Sequence, residues 1–460
     1  MKKINDKKTY KNILGISLGA LLITLGTWGQ LQGTAKGDDI SDPELHELFN
    51  TVLYHIKSDY VEETKSKELW YGAIRGMLAS LDDAHTRFMV PEEFNELQVE
   101  TSGKFGGLGI EISMRDGVLT VVSPIEDTPA MRVGLQPGDK IIEIEKKSTR
   151  DMSLNEAVSI LRGTPGTSVN ISVAREGEDE ILYFDIVREI IKIKVVTGDY
   201  IESEGILFIR LKQFSKTAAN DIRNLISEYQ NKNPKGIILD LRWNPGGLLD
   251  AANEVANIFI DNGVIVSTRG RKKEQDRIFM ADSSKAIAAK IPVVVLANHG
   301  SASASEIVTG AIKDHKRGKF VGSKTFGKGS VQHVIPLPHN TAIALTIQKY
   351  YTPSGVSIHK VGIEPDIEVK ALEFTKEDRK NYKEIQDKNI LKDFAKDMTE
   401  YNETNVEAFK KLLNEKNLKL SDYAMRFILK QHINRNEKRS AYDLEFDVQL
   451  KKAIDLLTKN

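Results

Sequence analysis

The 460-residue sequence contains no cysteine. That absence excludes disulfides, thiolate nucleophiles and Cys-built metal sites in one step. An excess of charge of either sign is also missing, because 65 basic side chains stand against 65 acidic ones. No basic stripe argues for nucleic acid, and no polyanionic tail argues for a solvated arm. Histidine is sparse, with nine in all and none in His-x-x-x-His spacing, and no acidic ladder has calcium-loop spacing. No metal and no cofactor is therefore expected. The glycines between Gly103 and Gly109 lack a following Gly-Lys-Ser/Thr and lead into a strand, which excludes a phosphate loop.

Long apolar runs are scarce as well. The stretch Ile13 to Trp28 is diluted by Gly15, Gly19 and Gly26 and falls short of the ~20 residues of a membrane span. It follows Lys2, Lys3, Lys7, Lys8 and Lys11 and precedes the small-x-small pattern Gly33-Thr34-Ala35. Residues 1–35 read as a secretory signal peptide, with an uncleaved, membrane-associated anchor as the alternative. Either reading places the body outside the cytoplasm, periplasmic or otherwise extracytoplasmic. Removing these residues takes five lysines and one aspartate from a balanced chain, leaving a net charge of −4.

Apolar content of 40% is ordinary for globular cores, and the length suits several domains. Residues 38–98 are helical in pattern: Leu48, Val52, Leu53 and Ile56, then Leu69, Ile74, Met77, Leu78 and Leu81, recur at three- and four-residue steps. Residues 99–190 are β-rich, with strands expected over Leu108–Ile112, Val118–Val122, Lys140–Glu145, Val169–Ala174 and Ile181–Val187 and a helix over Ser153–Leu161. In residues 191–371 strands and helices alternate, which implies a mostly parallel sheet covered by helices. Thr341–Tyr350 reads as a further strand. Residues 372–460 are Lys-, Glu- and Asn-rich with helical apolar spacing, a region that either packs back or mediates self-association. The fold class is multi-domain α/β: a β-rich module inserted before an α/β core, with helical regions at both ends.

The most informative segment follows the apolar run Ile291–Leu296. It reads Ala297-Asn298-His299-Gly300-Ser301-Ala302-Ser303-Ala304-Ser305-Glu306. A buried strand that breaks at small residues and restarts as a helix at a serine puts a hydroxyl beside unpaired N–H groups and the positive helix end, where an oxyanion is favoured. Twenty-five residues on, Lys328 lies between Gly327 and Gly329. A lysine dried enough to lose its proton near neutral pH, about 2 to 3 units below its reference value, can serve as the base that a serine needs. Lys324, four residues earlier, reads as a surface residue.

Five segments together resemble one family. They are Phe105-Gly106-Gly107-Leu108-Gly109-Ile110, Gly134-Leu135-Gln136-Pro137-Gly138-Asp139, Leu239-Asp240-Leu241-Arg242-Trp243-Asn244-Pro245-Gly246-Gly247, Gly300-Ser301-Ala302-Ser303-Ala304-Ser305-Glu306, and Thr325-Phe326-Gly327-Lys328-Gly329-Ser330-Val331-Gln332. The chain resembles the carboxy-terminal processing, or tail-specific, proteases over roughly Leu45 to Val369. The resemblance implies a PDZ-like peptide-binding domain at 99–190 and an α/β serine protease core at 191–371. It implies a Ser-Lys dyad of Ser303 and Lys328 acting through an acyl-enzyme, with Gln332 orienting the lysine. The N–H of Ala304 and one from Gly246 or Gly247 are implied as the oxyanion hole, and Gly106 to Ile110 as the loop for a substrate's C-terminus. Trp243 stands where the family more often has a polar residue. Leu81-Asp82-Asp83-Ala84-His85-Thr86 lacks the proline that often precedes the histidine; no catalytic meaning attaches to this variation.

The expected partners are protein or peptide substrates with exposed C-termini, an adaptor or regulator, and a second copy of the chain. Read from the residues alone, the β-rich module is either only a packing domain or a peptide-binding one, in which N–H groups in a glycine turn before a strand form a carboxylate nest and an extended peptide adds alongside. Leu154, Val158 and Leu161 form the apolar wall for its last side chain, or are simply core. Arg162, just after that helix, is a candidate hinge residue linking peptide occupancy to the protease site, against the alternative of a surface arginine. Two other functions compete. One is a catalytically silent PDZ-type adaptor. The other is a Ser-His hydrolase using His299, which lacks the Gly-x-Ser-x-Gly elbow at Ser303.

Overall fold

The computed structural model describes residues 40–436 and 441–459. The signal expected over residues 1–35 lies outside them. Among the described residues no helix is long and apolar enough to cross a membrane. The chain divides into two units at Ile74/Arg75. In the first, the helix Asp42–Asp59 starts where the Glu44 carboxylate accepts the N–H (2.9 Å) and hydroxyl (2.7 Å) of Ser41. The Phe49 and Trp70 rings lie 5.7 Å apart. The helix Ser66–Ala79 starts in the first unit and ends in the second.

The β-rich module is an antiparallel sheet of Ile110–Arg115, Val118–Pro124, Lys140–Ile144, Ser168–Ala174 and Leu182–Val187, with Lys147–Ser148 paired to the third strand. Asp116 and Gly117 sit at φ 50° and 76° between paired Arg115 and Val118, the conformation that twists a two-residue hairpin correctly. The alternating residues Val169, Ile171 and Val173 meet Ile141, Ile144, Ala157 and Leu161 in a dry core. The strand expected over Leu108–Ile112 is instead broken. Gly109 takes φ 78°, and a Cβ there would collide with Thr128, whose hydroxyl donates to the Gly109 carbonyl at 3.0 Å. Lys104–Gly107 pairs separately with Glu189–Lys192 as a two-stranded ribbon.

The core holds a six-stranded sheet in the order Val196–Ile201, Ile206–Leu211, Gly236–Asp240, Val293–Ala297, Gly318–Gly322, Ile367–Glu368. Only the first pair is antiparallel. The helices Ala218–Glu228, Leu249–Phe259 and Ala304–Asp314 bury Ile222, Val255 and Val308 with Leu207, Ile209, Leu239 and Val295 of the sheet. Phe208, Ile238, Val294 and Leu296 belong to the opposite face, and Leu450, Ala453 and Ile454 of the last helix, Val448–Thr458, cover them. A parallel sheet needs both faces covered, so the distant tail supplies a layer that the crossover helices do not.

The strand around Thr341–Tyr350 does not join this sheet. Thr341–Tyr351 pairs antiparallel with Ser330–Leu337 through a tight turn in which His339 and Asn340 take φ 60° and 56°. It also pairs with Val264–Gly270 and Arg87–Met89, forming a second, antiparallel sheet. No helical crossover precedes it, and a short connection permits only antiparallel pairing. The helices Lys376–Asp387, Ile390–Phe394, Glu403–Glu415 and Asp422–Ile433 of the tail enclose their own core around Phe409, Leu413, Ile428 and Leu429.

If the last helix is a structural layer, Leu450→Ala, at a fully buried position, should destabilise the core by about 3 kcal/mol. Denaturant unfolding monitored by circular dichroism measures it; an unchanged midpoint would show that the helix merely rests on the sheet.

Candidate active site

The strand Val293–Ala297 is buried along its whole length and delivers the turn Asn298–Ala302 to the edge of the core. Inside that turn Ser301 donates to the Leu241 carbonyl (2.8 Å) and accepts from the Asn298 N–H (2.9 Å), while Ser305 donates to the Asn244 carbonyl (2.9 Å). Both flanking serines are thus consumed by backbone. Ser303, at the N-cap of Ala304–Asp314, has φ 56° and ψ −114°, a conformation that non-glycine residues rarely adopt. Its hydroxyl takes no capping bond and faces the Tyr350 phenol at 3.4 Å. Burial holds the Tyr350 pKa above the ordinary phenol value, so that group is a neutral partner.

The Glu306 carboxylate, fully buried, organises the surrounding chain. One oxygen accepts the N–H of Ser303 (2.9 Å) and of Lys328 (2.8 Å); the other accepts the Thr325 hydroxyl (2.6 Å) and the Gly327 N–H (2.7 Å). Burial pushes its pKa above that of a free glutamate, and the four donors pull the other way. In the sequence Glu306 stands out only as the end of the small-residue motif. Its placement three residues after an N-cap serine is the signal that could have exposed its role.

Lys328 is half-buried. Burial lowers its pKa first, the nearby Arg87 cation lowers it further, and Asp83 and Glu306 oppose the shift. Lys324, by contrast, is exposed and paired with Glu364 at 2.8 Å. Arg87, together with Asp83 and His85 of the segment to which the sequence attaches no catalytic meaning, therefore stands around the lysine, and His85 is itself held below the ordinary histidine value by burial and by Lys328. Thr86 ties this segment to the second sheet by accepting the Thr346 N–H at 3.1 Å and donating to Asp83 at 2.7 Å. Gln332 donates to Ser330 (2.9 Å) and Thr346 (3.1 Å), not to Lys328. Among the described residues the Lys328 ammonium makes no hydrogen bond or ion pair. The structure brings Ser303 and Lys328 onto one carboxylate without joining their side chains.

The Gly246–Gly247 turn lies directly against the serine. A Cβ on Gly246, at φ 106°, would stand 2.8 Å from the Ser303 Cβ and 3.0 Å from the Ala304 nitrogen. The Gly246 N–H is already donated to the Asn244 side chain at 2.9 Å. Those of Gly247 and Ala304 have no acceptor among the described residues. His299 makes a T-shaped contact with Trp243, with centroids 4.6 Å apart, and His315 binds the Val264 carbonyl at 2.7 Å. Neither histidine reaches Ser303. Among the described residues no cluster of side chains could hold a metal.

In the β-module, the carbonyls of Leu108 and Gly109 are taken by the N–H groups of Ala130 and Ile125, at 2.9 and 2.8 Å, while their own N–H groups have no acceptor among the described residues. The Gly106 carbonyl accepts the Gly163 N–H at 3.1 Å, and Gly107 packs against the Phe105 ring. Ile110, Leu154 and Val158 are half-buried, whereas Leu108 and Leu161 belong to the core. Arg162 stacks over the Phe105 ring at 4.7 Å.

Three family models match the chain: peptidase family S41 over residues 205–369, a PDZ domain over 120–175, and the N-terminal domain of the activating protease CtpB over 30–93. A carboxy-terminal-processing protease of Bartonella bacilliformis is 42% identical over 361 residues, covering 78% of this chain and 81% of that protein. The chain belongs to the carboxy-terminal processing proteases of peptidase family S41. Carboxy-terminal processing protease CtpA of Bacillus subtilis is 35% identical over 341 residues, covering 74% of this chain and 72% of that one. Among solved structures, a photosystem II D1 C-terminal processing protease is 31% identical, covers 70% of this chain and 86% of its own, and superposes with a TM-score of 0.41. As in the family, a PDZ domain precedes the S41 protease domain here.

Replacing Glu306 with alanine would leave four donors without their buried acceptor. Such a variant should lose about 3 kcal/mol of stability or more, and the displaced loops should cut peptidase turnover at least about 100-fold. Comparison of kcat and of the unfolding midpoint with the parent chain checks both; full turnover would show that the carboxylate does not organise the site.

Proposed function

We propose that the chain is an exported endopeptidase that recognises the C-terminal tails of protein substrates and cuts them through Ser303 and Lys328. The observation that carries this reading is the Glu306 carboxylate, which holds the backbone N–H groups of both residues on one oxygen. The proposed reaction starts when the Ser303 side chain turns from Tyr350 towards the neutral amine of Lys328. The hydroxyl proton passes to Nζ as Oγ bonds to the scissile carbonyl carbon. The oxyanion is received by the N–H of Ala304 and that of Gly247, the glycine whose donor is free. Collapse breaks the C–N bond, the leaving amine takes the proton from Lys328, and water then hydrolyses the acyl-enzyme by the same route. Gln332 is assigned to the lysine's surroundings through Ser330 and Thr346.

In this reading the Leu108–Gly109 N–H groups receive the substrate's terminal carboxylate, with Gly106, Gly107 and Ile110 shaping the loop and Leu154 and Val158 flanking the last side chain. Arg162, stacked on Phe105 beside that loop, is the candidate link to the protease core. The boundaries 1–35, 38–98, 99–190, 191–371 and 372–460 serve as the working domain division. One observation favours the second reading, a silent PDZ-type adaptor: the Ser303 hydroxyl contacts Tyr350 and not the lysine.

An unstructured test protein separates the two. The parent chain should cut it, more slowly when its C-terminus is amidated, and Ser303→Ala and Lys328→Ala should each abolish cleavage while binding persists. Binding without cleavage by the parent chain would establish the adaptor.

The pH dependence follows from the lysine. Its neutral form is the active one, so kcat/KM should rise with pH through an ionisation below the ~10.4 of a free lysine. Arg87→Gln removes a repelling cation and should move that rising limb to higher pH, and Asp83→Asn removes an attracting anion and should move it lower. Identical limbs in all three proteins would exclude Lys328 as the titrating group.

A further inference from the structure

The segment bearing the Gly246–Gly247 turn begins at Arg242, and Arg242 is gripped from the far end of the chain. Its side chain is 9% exposed. Nε and Nη2 donate to the two oxygens of Asp240 at 2.8 and 2.7 Å. Nη1 and Nη2 donate to the two oxygens of Asp447 at 2.8 and 2.6 Å, and Nη1 also donates to Gln449 Oε1 at 3.0 Å. All five guanidinium donors are thereby used in a double fork. Asp447 is also the N-cap of the last helix, accepting the Leu450 N–H at 2.9 Å. Gln449, 3% exposed, donates onward to the Val369 carbonyl at 2.7 Å.

A buried ion cluster contributes little net stability compared with apolar packing, but it fixes geometry. The geometry fixed here is the exit from Gly236–Asp240 into the turn that faces the nucleophile. Downstream of Arg242, the Trp243 N–H donates to Asn298 at 3.0 Å, and the Asn244 carbonyl accepts the Ala302 N–H at 3.0 Å. Displacement of Arg242 is therefore passed on both to the glycine turn and to the serine turn.

We propose that Asp447 is a positioning residue for peptide-bond cleavage, holding the glycine turn against Ser303 through Arg242, so that the last helix belongs to the catalytic apparatus. The inference rests on the peptidase reading above. Asp447→Asn keeps a good helix cap and removes the charge and one acceptor of the fork. It should lower kcat about 10-fold or more with KM unchanged. It should also weaken, to the same extent, the binding of a peptidyl boronic acid, whose tetrahedral adduct places an oxygen at the Ala304 and Gly247 N–H groups. Asp447→Glu, which restores the carboxylate, should recover part of the loss.

Parent kcat and parent boronate affinity in Asp447→Asn would overturn the proposal, as would a loss confined to KM or one fully explained by the unfolded fraction. If Asp447→Asn does not fold, Asp447→Ser, which also caps the helix, is read by the same criteria, with active sites titrated by the boronate. Ser303→Ala separates the two levels: if it still cleaves, the peptidase reading fails and this inference with it. If Ser303→Ala is inactive and Asp447→Asn is fully active, only the role of Asp447 is lost.

Discussion

A carboxylate with no access to water is tolerated only when its lone pairs are met, and Glu306 meets this condition with four donors drawn from two separate stretches of chain. Ser303 belongs to a turn at the end of the parallel sheet. Thr325, Gly327 and Lys328 belong to the segment that leads into the antiparallel one. Two further contacts tie the same loops: the Phe326 N–H donates to the Ser301 carbonyl at 3.0 Å, and the Ser303 hydroxyl meets the Tyr350 phenol at 3.4 Å. Loss of any donor leaves charge unscreened in the interior, so the carboxylate penalises relative motion of the two loops. A serine at an N-cap normally spends its side chain on the helix N-terminus; here the N–H of the third helical residue, Glu306, donates to the Ser303 carbonyl at 2.9 Å instead, and the hydroxyl stays available.

The electrostatics of Lys328 follow from a second long-range assembly. The strand Arg87–Met89 pairs with Thr341–Tyr351, and this pairing brings Asp83, His85 and Arg87 up to a lysine some 240 residues later in the chain. One cation and one anion in this group act in opposite directions on the amine, while burial acts on the side of the cation. The lysine is therefore depressed mainly by dryness, and its charged neighbours adjust the result. The histidine facing it shares the same dry setting. An amine held this way keeps its proton loosely without an ion-pair partner that would have to be displaced first.

Much of this was legible in the sequence wherever a signal was local. The strand Val293–Ala297 breaking into a helix at Ser303 is written in five apolar residues followed by small ones. The Asp116-Gly117 turn and the helix Leu154–Leu161 are equally local. The family resemblance added the lysine and the glycine turn. What escaped was non-local or ambiguous in period. Thr341–Tyr351 has the composition of any buried strand, and only its hairpin with Ser330–Leu337 shows that it leaves the parallel sheet. The run Leu108–Ile112 looks continuous, yet Gly109 turns out of line at φ 78°, where Thr128, 19 residues away, fills the space a side chain would need. Asp83–Arg87 carries no periodic mark of its destination, and no spacing rule anticipates the Asn244 side chain that takes the Gly246 N–H and leaves that of Gly247 without an acceptor among the described residues.

The tail follows the same logic from the direction of packing. The three crossover helices lie on one side of the parallel sheet, which leaves Phe208, Ile238, Val294 and Leu296 to be covered by something else. A hydrophobic face of that kind selects a helix with a narrow apolar stripe, and Val448–Thr458 presents Leu450, Ala453 and Ile454 at three- and four-residue steps. Dispersion and dehydration alone would let such a helix slide by a turn. The N-cap aspartate prevents sliding, because the Arg242 fork accepts a carboxylate in one place only. Apolar contact thus supplies the adhesion, the ion cluster supplies the register, and the register is set at the residue from which the glycine turn departs.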